Sequence, residues 1–189
     1  MEAKLKNIVE CLKKRGFEAE YCETKEDAAK AILSDIASVS RVGMGGSVSM
    51  KELGVTAALE TSGKLATRGA DCELFLLSAN AITADGRIVN IDGRGNRVAA
   101  SIAGPSKVVY AIGSNKVVDG GIDEAINRIK ECACPPNCRR LDKKTPCATT
   151  GKCADCDSPD RICKVTVIFD RCPTGTPTKV YMINDSLGY

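Results

Sequence analysis

Residues 107–113, KVVYAIG, form a short, almost wholly apolar run with no polar residue alternating through it. A strand of this kind is covered on both faces, which in a soluble protein means a parallel sheet with helices on either side. The surrounding segments meet that demand. Between Glu2 and Arg15 the residues Leu5, Ile8, Val9 and Leu12 recur at helical spacing, and Gly16 supplies a stop. FEAEYC (17–22) alternates as a strand. Thr24 followed by Asp27 resembles a capping box for a second helix that turns Ala28, Ile32, Leu33 and Ile36 inward. SRVGMGG (40–46) is a strand entering a glycine turn, and SVSMKELG (47–54) the helix after it. CELFLLSA (72–79) and AITADGRIVNIDGRGN (81–96) are rich in strand, with turns at Asp85-Gly86 and Asp92-Gly93. NRVAASIAG (96–104) and GIDEAINRIKE (121–131) are helices, while KVTVIFD (164–170) and TKVYMIND (178–185) look like an edge hairpin. Strands alternating with helices predict an α/β fold with a mainly parallel sheet and flanking helices.

Composition narrows the function classes. A net charge of +3 and no basic stripe interleaved with aromatics give no footprint for nucleic acid, and aromatics at 4% offer no stacking platform. No stretch approaches the eighteen or so apolar residues of a membrane span. The charged, amphipathic start MEAKLKNIVECLKKRG is unlike a signal peptide, so the expected location is the cytoplasm.

Against that background eleven cysteines and no histidine stand out. Cys11, Cys22 and Cys72 are isolated and fit as core thiols. The other eight fall between Cys132 and Cys172, with Cys147, Cys153, Cys156 and Cys163 closest together. A Cys-x-x-Cys pair presents two thiolates to one metal from a tight turn, and the outer two close the site. Four sulfurs without imidazole suit a thiophilic centre, a 4Fe–4S cluster or, as the alternative, zinc. Seven basic residues against four aspartates between Cys138 and Lys164 suit the negative charge of such a centre. Cys132, Cys134, Cys138 and Cys172 could make a second site or lend a replacement ligand, but are more simply spare thiols.

Two polar segments suggest a pocket. In GMGGSVS (43–49), Gly43, Gly45 and Gly46 let the backbone approach a ligand, while Ser47 and Ser49 add hydroxyls at a helix start. In residues 78–100, Asn80, Thr83, Asp85, Asn96 and Arg97 are polar side chains at turns and strand ends. Such residues often only make turns, but Asn96 and Arg97 open a helix whose free amides and guanidinium can face the glycine turn. In an open α/β sheet ligands collect at the carboxyl ends of the strands, so a small anionic metabolite is the expected occupant. Proton transfer without histidine would fall to a carboxylate, lysine or cysteine, with Glu52 and Asp85 as candidates.

GMGGSVSMKELG, the segment LLSANAITADGRIVNIDGRGNRVAASIAGPSKVVYAIGSNKVV and TPCATTGKCADCDSPDRIC together resemble the LUD domain. The resemblance spans nearly the whole chain. It implies a fold similar to the sugar-phosphate isomerase and coenzyme A transferase group, in which glycine turns line a pocket for anions. It also implies a part in lactate utilisation, the oxidation of L-lactate to pyruvate alongside iron–sulfur redox partners. The expected organisation is a body over 1–131, a cysteine-rich metal-binding insertion over 132–163 and closing strands over 164–189. Two functions follow: a component of a redox system for small organic acids, or a non-catalytic accessory or regulatory module with a structural metal that senses a metabolite or docks a partner.

Overall fold

In the computed structural model, residues 1–66 and 71–189 are described. Helix α1 (Glu2–Lys14) buries Leu5, Ile8, Val9 and Leu12, the stripe its spacing requires, and Gly16 turns the chain at φ +85°. Strand β1 (Glu18–Cys22) leads to α2 (Lys25–Ala37), where Thr24 Oγ1 accepts from the Asp27 amide at 3.1 Å. Ala28, Ile32 and Ile36 point inward with Ala29 and Ala31 partly covered beside them, but Leu33, expected in this stripe, is exposed.

Next come β2 (Val42–Met44), α3 (Val48–Glu52), α4 (Val55–Thr61), β3 (Leu74–Leu77), β4 (Ala81–Thr83), β5 (Ile88–Asp92), α5 (Asn96–Ile102), β6 (Lys107–Gly113) and β7 (Val117–Val118). Helix α6 (Ile122–Arg128) passes through a π turn (Ile129–Ala133) into α7 (Cys134–Arg140). The boundary expected at residue 132 therefore falls inside a continuous helical rod. Pro135 and Pro136 cannot donate amide hydrogens, and the widened turn just before them lets the helix continue. Helix α8 (Pro146–Thr150), a long coil, β8 (Val165–Phe169) and β9 (Thr178–Ile183) complete the chain.

Five strands form a parallel sheet in the order β1-β9-β6-β3-β2. Side chains alternate across it with period two. Phe75, Leu77, Val108, Tyr110, Val180 and Met182 pack with α1. Leu74, Leu76, Val109, Ala111, Tyr181 and Ile183 pack with α2, α3 and α4. A second sheet, β7-β4-β5-β8, carries the antiparallel β4–β5 hairpin around Asp85-Gly86 and rests on α6 through Ala125 and on the π turn through Ile129 and Ala133. The last two strands do not pair with each other. β8 runs antiparallel to β5 at the edge of the second sheet, whereas β9 lies inside the first sheet, parallel to β1 and β6. Burial explains the split: β8 is mostly exposed, and β9 is covered along nearly its whole length.

Candidate functional site

A cleft of about 630 Å³ opens at the carboxyl ends of the central strands. Its floor is Gly46–Ser49 after β2, Ser78–Asn80 after β3 and Lys116 after β6, and one wall is Ile91–Arg97. The opposite wall comes from the cysteine-rich segment, through Asn137, Arg140, Leu141, Lys143 and the coil from Pro159 to Lys164. Seven basic side chains border it (Arg94, Arg97, Lys116, Arg140, Lys143, Arg161 and Lys164) against two acidic ones, Asp92 and Asp160. Several cations around one concavity raise the local concentration of small anions.

Of the expected ligand residues, Gly46, Ser47, Ser49, Asn80, Asn96 and Arg97 border the cleft. Ser47 caps α3, its Oγ accepting from the Met50 amide at 3.2 Å. Gly43 lies within β2, and Gly45 makes room for Arg97: a Cβ on Gly45 would stand 2.8 Å from Arg97 Cγ. Arg97 is a pin more than a free donor. Its Nη1 donates to Ser78 O and Asn90 Oδ1, both at 3.0 Å, and its Nη2 to Asn80 Oδ1 at 2.9 Å and Ile91 O at 3.1 Å. The amides of α5 that the sequence left open are also taken, because Asp92 Oδ2 accepts from Arg97 N and Val98 N. Asn80 serves the same network, its Oδ1 accepting from Ile91 N at 3.0 Å.

Thr83 and Asp85 are not part of this wall. They sit at the β4–β5 turn, where Asp85 Oδ2 accepts from Arg15 Nη2 at 2.7 Å and faces Arg87. The hydroxyl of Thr83, with Arg15 and Arg87 behind it, holds the Asp85 carboxyl below its ordinary pKa, the opposite of what a proton shuttle near neutral pH needs. Glu52 is engaged too, accepting from the Gly188 amide at 2.7 Å.

Lys116 is the residue that sequence reasoning missed. It is 3% exposed, and its Nζ donates to Ser49 Oγ at 2.7 Å and Ser78 Oγ at 2.6 Å. Burial, followed by the charges of Arg128 and Arg97, lowers its pKa to about 7; Glu52 opposes this. The available signal was a lysine closely following a wholly buried strand, in VYAIGSNK, where a solvated cation has little room.

The thiols gather differently from the spacing alone. Cys138 Sγ and Cys147 Sγ are 3.7 Å apart. Burial pushes the Cys134 thiol up to about 12, and Cys163, Cys138, Cys147 and Cys153 add to the rise through their charge. Cys138, expected to be spare, is therefore in contact with Cys147, and Cys134 lies in the same thiol-rich region. Cys172 lies elsewhere, its amide donating to Arg15 O, and Cys132 is exposed. Arg161 ties the coil that carries Cys153, Cys156 and Cys163: it donates to Cys156 O at 2.8 Å, Cys163 O at 2.9 Å and Asp155 Oδ1 at 2.9 Å. A soft metal suits this donor set, and 3.7 Å matches the edge of a tetrahedral thiolate site, about 3.8 Å for metal–sulfur bonds near 2.3 Å. Among the described residues, however, no three Cys, Asp or Glu side chains converge closely enough to hold an ion. One edge of such a site is in place; Cys153, Cys156 and Cys163 are not drawn to it.

A parallel sheet covered on both faces, with a basic cleft at its strand ends, defines an α/β protein of the layered class. The chain belongs to the LUD domain family, which it matches over residues 5–183. Its fold is similar to the crystal structure of a DUF162 family protein from Deinococcus radiodurans, with a TM-score of 0.59 over 96% of each chain at 13% identity. No curated protein matches it. No helix among the described residues is long and apolar enough to cross a membrane.

Proposed function

We propose that this LUD domain binds a small organic anion in its basic cleft as a component of a redox system of the lactate-utilisation type. The seven-to-two excess of basic over acidic groups around the cleft carries the reading. Arg94 and Lys164 make no side-chain hydrogen bond or ion pair among the described residues, and Lys143 is held only by a 3.9 Å pair with Asp160. These side chains are the donors left for a ligand, while Arg97 and Asn80 shape the wall. The reading is tested by titrating the protein with short carboxylates and phosphates at low salt. The triple variant Arg94→Glu, Lys143→Glu, Lys164→Glu is expected to weaken binding about 100-fold, at roughly 1 kcal/mol per reversed charge. Affinity should also fall with added salt. Equal binding by wild type and variant rejects the cleft as an anion site.

The cysteine-rich segment is proposed to hold a 4Fe–4S cluster, or zinc, through Cys147, Cys153, Cys156 and Cys163. A cluster would supply one-electron transfer. The 3.7 Å Cys138–Cys147 pair favours the second reading, an accessory module with a single structural ion, because it has the length of one tetrahedral edge. Metal analysis of anaerobically purified protein decides between them. Iron with broad visible absorption supports the redox component, and one zinc in a colourless protein supports the accessory module. In either case the double variant Cys153→Ser, Cys156→Ser is expected to lose the metal and expose the coil to protease. A metal-free wild type would reject both centres.

A further inference from the structure

Lys116 has a proton inventory that points to chemistry. Ser78 Oγ donates its hydrogen to Ala111 O at 2.6 Å, and Ser49 Oγ donates to Leu187 O at 3.2 Å. Both hydroxyls therefore face Nζ as acceptors. A neutral amine has two N–H bonds and one lone pair; the two serines take both hydrogens, and the lone pair remains without a partner. An ammonium would add a third N–H with no acceptor on it among the described residues, where none of their carboxylates touches Nζ and where Arg128 and Arg97 oppose positive charge more than Glu52 favours it. Lys116, Ser49 and Ser78 all border the cleft. The fold thus favours the uncharged amine over the ammonium at a position that borders the basic cleft.

We propose that Lys116 is a nucleophile whose uncharged amine condenses with the carbonyl carbon of a small anion bearing an aldehyde or ketone. The class covers oxo acids and sugar phosphates, which share a reactive carbonyl close to an anionic group. The inference rests on the cleft being an anion site and adds a covalent step to it. The Nζ lone pair forms a C–N bond while the C=O π pair moves to oxygen, which takes up a proton. The C–O bond then breaks, water leaves, and a C=N bond forms as nitrogen loses its remaining proton. Amine plus carbonyl gives imine plus water, with no change in oxidation state. Ser49 and Ser78 are the nearest groups to relay the proton from nitrogen to the departing hydroxyl.

The test uses the full chain, with glyoxylate as the oxo-acid probe and glyceraldehyde 3-phosphate as the phosphate probe. Each mixture is reduced with borohydride, which converts the imine into a stable secondary amine, and the modified peptides are identified by mass spectrometry. At pH 7 an ordinary lysine is uncharged in only about one molecule in 2,500, against about half for an amine with a pKa near 7. Labelling at Lys116 is expected to exceed that at exposed Lys51 and Lys152 by at least about tenfold. It should fall about 16-fold on lowering the pH to 5.5, as the amine takes up a proton. Reaction with glyoxylate alone assigns oxo acids, and reaction with the phosphate alone assigns sugar phosphates; each supports the proposal. Because the label is read in the wild-type protein, the result does not depend on a variant folding, and Lys116→Arg serves only to confirm the mapped peptide. Equilibrium dialysis of the same probes separates the two ideas. A probe that binds but leaves Lys116 unlabelled overturns the nucleophile and leaves the anion cleft standing. Absence of both binding and labelling overturns both.

Discussion

Replacing Arg97 with methionine is expected to lower unfolding stability by about 4 kcal/mol, a loss set by the acceptors the guanidinium leaves behind. Ser78 O, Asn90 Oδ1, Asn80 Oδ1 and Ile91 O would all lose a donor within the protein, and Asp92 would keep its charge with no cation beside it. Lysine should recover little of this, because one ammonium cannot reach four acceptors placed for a planar fork. Arg94→Met is the control. Arg94 is exposed and its side chain makes no hydrogen bond or ion pair among the described residues, so its loss should change stability by no more than about 0.5 kcal/mol. Urea midpoints of the three variants decide the matter. An Arg97→Met protein within about 1 kcal/mol of wild type would mean that water satisfies this network.

Gly113→Ala is expected to cost about 3 kcal/mol, by a different route. The residue ends β6 with φ −73° and ψ 155°, a conformation alanine adopts freely, so the penalty is one of space. An added Cβ would stand 2.8 Å from Asp185 O and from Leu187 N, both main-chain atoms, and 2.8 Å from Asn115 Oδ1. Relieving this contact means moving residues 185–188. That segment is held by Ser114 N to Asp185 O at 2.9 Å, Leu187 N to Asn115 Oδ1 at 3.1 Å and Gly188 N to Glu52 Oε2 at 2.7 Å. The melting temperature should fall by roughly 6–12 °C for a chain of this size. Gly46→Ala, where a Cβ meets nothing within 4 Å, should leave it nearly unchanged.

The parts of this molecule written in the sequence are those where one local rule acts alone. The stripe of α1, the Thr24 cap and the β4–β5 turn follow from spacing and turn chemistry, and each appears where it was expected. The parallel sheet follows from the buried run of β6. What local rules cannot reach is pairing between distant segments. KVTVIFD and TKVYMIND are both good strand sequences, and only their burial in the finished fold separates an edge strand from an inner one. The cleft was legible as a place but not as a set of donors. Glycine turns and Arg97 mark its position, while Asp92 and two asparagines consume the hydrogen bonds that the turn residues seemed to offer. Lys116 escaped notice because its character comes from Ser49 and Ser78, which lie 67 and 38 residues away in the chain. The cysteine spacing suggested one set of thiols. The helical rod through Cys134 and Cys138 brought in others that spacing had set aside, because helix geometry places residues four apart on the same face.

The position of β9 has a consequence for how this protein is made. Strand β1 pairs within its sheet only with β9, Glu18 opposite Lys179, and β6 meets β9 along its other side. Until Thr178–Ile183 leaves the ribosome, the first strand has no neighbour and the half-built sheet shows an open edge at β6. Joining them closes a loop of nearly the whole chain, which is slow, and an uncovered edge invites strangers meanwhile. The sheet is therefore completed only once β9 has been made, and that strand acts as the keystone of the first.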